Sequence, residues 1–186
     1  MRRVCSESGF TVVETMIAVM ILVIGIVGVG AMQLKALQGT KFAGVFYDGA
    51  NTSTSWLEWI NNFVNQPDQV SLPYNGRLLK RNFVRLSQMD TNPNDTGFTT
   101  VELPVSTTTL LNQFNNTYDF KNADGNSFAA TQVPPPASGG GHVIWRVASN
   151  VPAPFLTTVE VSCRYVSAIV KNQESQRMRM VFSPEL

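Results

Sequence analysis

A chain of 186 residues with 44% apolar and only 15% charged side chains has room for one domain plus attachments. Its formal net charge is +1, with 14 basic residues spread along the whole chain, so nucleic-acid binding is excluded as its main task. The single histidine, His142, follows three glycines and is expected to be exposed. Without a second histidine, no Cys/His cluster reaches metal-ligand spacing and no ordered Ser-His-acid set can be assembled. No cofactor is expected, and no enzymatic activity.

The chain opens on a short polar, basic stretch, residues 1–9, and then turns apolar. From Thr15 to Leu34 no side chain is charged. About 20 helical residues cover the ~30 Å hydrocarbon core of a bilayer, so this run predicts a membrane-spanning helix. Arg2 and Arg3 precede it and should stay cytoplasmic, which sends everything after Leu34 to the other side. Glu14 stands just inside the apolar end. A charge there costs at least ~2–3 kcal/mol on insertion scales, so an intramembrane carboxylate is expected to be paired or functional. The plainer alternative is an interfacial carboxylate that snorkels to water.

The order of these parts differs from that of a secretory signal, whose apolar core lies before the cut and is removed. The junction Gly9-Phe10-Thr11-x-x-Glu14, followed by an uninterrupted apolar helix, resembles the class III signal of type IV pilins and pseudopilins. Within that superfamily, Ile24-Gly25-Ile26-Val27-Gly28-Val29-Gly30-Ala31-Met32-Gln33 is similar to the PilV-type minor pilins. The resemblance covers about thirty residues; beyond them it is one of plan only.

The resemblance implies that a prepilin peptidase cuts after Gly9 on the cytoplasmic face and N-methylates the new terminus, Phe10. It implies that Glu14 recruits the subunit by meeting the N-terminal amine of a neighbour in the fibre core. Such a pair in low dielectric attracts strongly, and each charge alone is costly, so pairing favours one axial register. The implied partners are the prepilin peptidase, the major pilin and other minor pilins, the inner-membrane assembly platform and membrane lipid. The implied location is the inner membrane, with a periplasmic C-terminal domain, and then the pilus, towards its tip. Removing residues 1–9 takes Arg2 and Arg3 from 14 basic residues and Glu7 from 13 acidic ones, which leaves 12 of each. It also takes Cys5, leaving Cys163 alone. Major pilins commonly staple a C-terminal loop with two cysteines, and this chain departs from that pattern. Cys163 reads as a small buried hydrophobe.

Gly25, Gly28 and Gly30 have two explanations. Small residues let helices approach closely in a membrane. The corresponding stretch of assembled pili also loses helicity, and three glycines make such melting cheap.

Beyond Gln33 the helix should continue with an amphipathic stripe through Phe42, Val45, Phe46, Gly49, Ser53, Trp56, Leu57, Ile60, Phe63 and Val64. Pro67 should end it, which predicts a helix from Phe10 to about Asn65, roughly 80 Å long. The run Asn51-Thr52-Ser53-Thr54-Ser55 contains poor helix formers and marks a candidate kink. Trp56 reads as core and Trp59 as flanking packing.

From Pro67 to His142 the chain reads as a mixed connection. Gly76–Leu86 interleaves Arg77, Lys80, Arg81 and Arg85 with apolar residues. It reads first as an amphipathic helical turn or edge strand with its charges in water. A contact to anionic lipid or a neighbouring subunit comes second and DNA third. Phe98–Val105 reads as a strand, and Leu110, Leu111 and Phe114 as part of a short helix. Asp119 and Asp124, around the turn Asp124-Gly125, hint weakly at calcium. Val133–Gly141 reads as a surface loop, and its glycines lack the Lys-Ser/Thr of a phosphate-binding loop.

His142–Ala148, Leu156–Val166 and Gln176–Phe182 read as three strands of an antiparallel meander. Val159, Val161, Cys163 and Tyr165 alternate with Glu160, Ser162 and Arg164, as in a sheet with one buried face.

The expected fold class is α+β and pilin-like, a long N-terminal helix packed on a C-terminal antiparallel sheet. Its parts are a leader 1–9, an assembly helix 10–34, an amphipathic half 35–66, a variable region 67–142 and a sheet 143–186. The expected function is that of a minor pilin that enters a type IV pilus and helps prime its assembly, supporting motility and adhesion. A minor pseudopilin of a type II secretion system is the nearest alternative. A single-pass membrane protein with a ligand-binding domain is a third, and it has no need of Glu14 or the Gly9–Phe10 junction.

Overall fold

Helix α1, Val12–Val64, is the longest element of the chain. The computed structural model describes residues 9–67, 69–122, 124–135, 141–165 and 173–184. Arg2, Arg3, Cys5 and Glu7 of the predicted leader, Gly139 and Gly140 of the loop, and the predicted turn around Lys171 lie outside the described residues. The chain divides into two units, Met1–Phe42 and Ala43–Leu186. In the first unit, every residue of α1 from Val12 to Val29 is exposed.

In the second unit, the rest of α1 presents Gly49, Ser53, Trp56, Leu57, Ile60, Phe63 and Val64 to the core. Helical hydrogen bonding continues unbroken through Asn51–Ser55, against the expectation of a kink. The hydroxyls of Ser53 and Thr54 donate to the carbonyls of Gly49 and Ala50, at 2.7 and 3.0 Å, and so stay out of competition with the helix. Burial of the stripe then outweighs weak local propensity, as tertiary packing commonly does. Pro67 cannot continue the helix, and the freed carbonyls find side-chain donors. Gln69 Nε2 reaches the carbonyls of Val64 and Gln66 at 3.0 and 2.8 Å, and Asn82 Nδ2 reaches that of Phe63 at 2.8 Å.

Strands β1, Ser71–Tyr74, and β2, Arg77–Lys80, form a hairpin that leads directly into helix α2, Arg81–Ser87. The turn residues Asn75 and Gly76 both have positive φ, 48° and 79°, as a two-residue turn matching the strand twist requires. The cationic segment is therefore half strand and half helix, and Arg81 and Arg85 are ion-paired rather than free in water. After strand β3, Thr99–Glu102, come helix α3, Thr107–Asn112, and a π-helical turn, Gln113–Thr117.

Strands β4, His142–Ser149, β5, Thr157–Tyr165, β6, Gln173–Glu174, and β7, Met178–Phe182, complete the set. The main sheet is antiparallel throughout, in the order β3-β4-β5, with β6 and β7 both pairing to β5. One edge strand, β3, thus comes from the region read as a variable connection. The protein is α+β, with a long apolar N-terminal helix and an antiparallel sheet.

On the sheet's inner face, Val143, Trp145 and Val147 lie beside Val159, Val161 and Cys163, all buried. Trp145 meets Trp56 edge-on at 5.6 Å between ring centroids. Trp59 is more than flanking packing: it stacks on both Phe63 and Phe114, at 5.2 and 5.4 Å, and its indole N–H donates to the Gln132 carbonyl at 2.6 Å. Offset and edge-on rings of this kind add to simple area burial.

The outer face is not the solvated face that the alternation suggests. Ile144, Ala148 and Ser162 on it are fully buried and Glu160 is nearly so. Arginine–carboxylate pairs lie on the same face. Arg146 Nη2 donates to both Glu174 carboxylate oxygens at 2.7 and 2.8 Å, Arg164 bridges to Glu102 at 3.1 Å, and Arg179 pairs with Glu160. Their guanidinium heads hold the carboxylates of this face in charge-assisted pairs.

Candidate functional site

The predicted processing junction lies at the start of α1. Gly9, Phe10 and Thr11 precede the helix, and Glu14 stands in its first turn. Thr11 Oγ1 accepts the Glu14 backbone N–H at 3.3 Å, and the Thr11 carbonyl accepts the N–H and the hydroxyl of Thr15, each at 3.1 Å. Thr11 is therefore the helix cap, satisfying a donor that has no partner within the helix. The spacing Thr11-x-x-Glu14 is that of a capping box, a local signal that reading Glu14 only as a membrane carboxylate passes over. A carboxylate in the first turn is also favoured by the helix dipole.

Gly9, Phe10 and Glu14 are all exposed, Phe10 by 83%. Among the described residues, Glu14 has no ion-pair partner. Gly25, Gly28 and Gly30 lie further along in helical conformation, and at each a Cβ would meet open space. Among the described residues, no contact explains these glycines. The structure thus gathers Gly9, Phe10 and Glu14 at one end and leaves the glycines elsewhere on an uncovered apolar helix. That helix is long and apolar enough to cross a membrane and is a candidate membrane anchor.

The remaining candidates lie in the second unit. His142 is half-exposed, and its Nδ1 stands 3.2 Å from Glu102, which also binds Arg164. Asp119 does not serve as a calcium ligand. Its Oδ2 accepts from Arg81 at 2.6 Å and Arg85 at 2.9 Å, with Lys121 3.9 Å from Oδ1, so cations of the chain already occupy it. Among the described residues, no three His, Cys, Asp or Glu side chains gather as a metal site.

Cys163 is fully buried, its Sγ 3.7 Å from Ser53 Oγ. Burial pushes its thiol pKa up, against a smaller opposing pull from the Ser53 contact. Tyr165 is pushed up to about 12, first by burial and then by the negative charges that Cys163 and Asp48 carry when ionised. Burial also tends to raise Glu174. The Arg146 hydrogen bond and the charges of Arg146, Arg177 and Arg164 outweigh it and hold the carboxyl below its usual range. None of these groups forms a nucleophile–base pair in a cleft. No protein-family model, curated protein or solved structure matches the chain.

Proposed function

We propose that this chain is a PilV-type minor pilin, a structural subunit of a type IV pilus that helps to prime fibre assembly. It acts as a substrate of the prepilin peptidase and as a subunit, not as an enzyme. One observation carries this reading. The Gly9–Phe10 junction opens directly onto a capped helix whose only ionisable side chain before Lys35 is Glu14, and whose apolar surface the chain leaves uncovered. A soluble domain would have buried such a surface, and a simple anchor has no use for a carboxylate at its apolar end.

In this reading the peptidase cuts after Gly9 and methylates Phe10. Glu14 then pairs with the terminal amine of a neighbouring subunit, and the uncovered helix moves from lipid into a fibre core made of like helices. The decisive experiment is mass spectrometry of the mature N-terminus after expression with and without a prepilin peptidase. The expected product starts at N-methylated Phe10 only when the peptidase is present. A chain that remains uncut, or is cut elsewhere, overturns the proposal.

A further inference from the structure

Phe10 and Thr11 separate the Gly9–Phe10 amide from α1, and Thr11 fixes where that helix begins. Its carbonyl accepts the first helical bond, from Thr15 N at 3.1 Å, while its hydroxyl oxygen takes the Glu14 N–H at 3.3 Å. Helical conformation starts only at Val12. Among the described residues, no backbone hydrogen bond ties Gly9 or Phe10 to the helix. Both are exposed, and a Cβ at Gly9 would meet open space.

Proteolysis needs a bond in that state. To be hydrolysed, the Gly9–Phe10 amide must present its carbonyl carbon to water and its nitrogen to a proton. The C–N bond then breaks, leaving the Gly9 carboxylate and the Phe10 amine. Backbone outside a helix can be drawn into a cleft as an extended strand, with both faces of the amide open. Helical backbone instead commits each carbonyl to the N–H four residues on.

The sequence around Thr11 shows what its cap prevents. Ser, Thr, Asp, Asn and Gly cap helices well, whereas Ala and Val do so poorly. Downstream of Thr11 the next residue of this kind is Thr15, and a start there would unwind Val12–Glu14. Upstream, Gly9 lies two residues away. Without the Thr11 cap, growth back to Gly9 is therefore the cheaper course. The Gly9 carbonyl, the group to be attacked, would then accept the Val13 N–H, and Phe10 would become the first helical residue.

We propose that Thr11 is a positioning residue for processing: its cap holds the start of α1 at Val12 and so keeps the Gly9–Phe10 amide outside the helix and open to the prepilin peptidase. The inference rests on the reading of the chain as a substrate of that enzyme. It assigns the Thr11 side chain no contact with the peptidase.

The test follows cleavage of the full chain by a purified prepilin peptidase in detergent, over a range of substrate concentrations, with the products read by mass spectrometry. Thr11→Ala is expected to lower kcat/KM about fivefold, through KM alone, because helical chains leave the competent pool without altering the chemistry of those that bind. Thr11→Ser and Thr11→Asn restore a cap with different side chains and should return the rate to within about twofold of the original. Carbon-13 chemical shifts of Phe10 should turn helical in the Thr11→Ala chain and in neither of the other two. Undiminished cutting of the Thr11→Ala chain, a loss confined to kcat, or failure of Ser and Asn to rescue overturns the inference while leaving the minor-pilin reading intact. An original chain that is not cut at Gly9–Phe10 overturns that reading, and this inference with it.

Discussion

The two parts of α1 share one backbone geometry and differ in what surrounds them. From Val12 to Val29 every side chain is exposed, although nearly all are apolar. From Gly49 to Val64 a stripe is buried against aromatic rings and a sheet. The first part is hydrophobic all round, the pattern of a candidate membrane anchor, and the second is amphipathic, the pattern of a helix packed within a domain. Hydrophobicity therefore carries two messages here. Its distribution around the helix, not its amount, tells which neighbour is meant.

The largest contrast should come from truncation. Trp56→Ala, at a side chain with no exposed surface, is expected to cost about 3–5 kcal/mol. Leu22→Ala, at an exposed position in the first unit, should leave the stability of the domain unchanged. Denaturant unfolding of the full chain in detergent measures both, and equal losses would break the distinction.

Glycine sharpens it next. A Cβ on Gly49 would stand 2.8 Å from Ser175 Cβ and 3.0 Å from the Tyr165 ring, so Gly49→Ala should cost about 1–3 kcal/mol by overpacking. Gly28→Ala meets open space and should instead raise helix stability by about 0.5–1 kcal/mol, read by circular dichroism in detergent.

Alkaline titration probes the same contact between helix and sheet. Tyr165, pushed up to about 12 in the folded protein, ionises near its ordinary value of 10 once unfolded. Because the folded pKa is the higher one, its contribution to stability is intact below pH 10 and is lost as pH rises towards 12. Tyr165→Phe should reduce that alkaline loss, measured as the midpoint of thermal unfolding against pH. The smallest effect is on the acid side. The folded pKa of Glu174 is lowered, so its contribution holds above its ordinary value of 4.5 and fades as pH falls below it. Glu174→Gln should flatten the decline of unfolding temperature below pH 4.5.

How much of the molecule was legible beforehand depended on the range of the interaction concerned. The long helix, its end near Pro67, the strands β4, β5 and β7 and the burial of Cys163 all follow from local periodicity. The hairpin around Asn75-Gly76 carried a local signal too, since Asn-Gly between apolar runs favours this turn, but the four cations nearby drew the reading elsewhere. The cap at Thr11 was likewise written in the spacing to Glu14. The ion-pair cluster at Asp119 had no such signal. It joins α2 to residues more than thirty positions away through Asp119, whose partners only folding selects.

The sequence by itself determined where the chain is apolar, at what period, and where proline must end a helix, because these depend on neighbours a few residues apart. The tertiary structure alone decided that Asn51–Ser55 stays helical, that β3 joins the sheet, that arginine–carboxylate pairs form on the outer face, and that Trp59 sits inside the aromatic cluster. Each of those outcomes is set by contacts between segments distant in sequence, whose burial and pairing energies outweigh local preference.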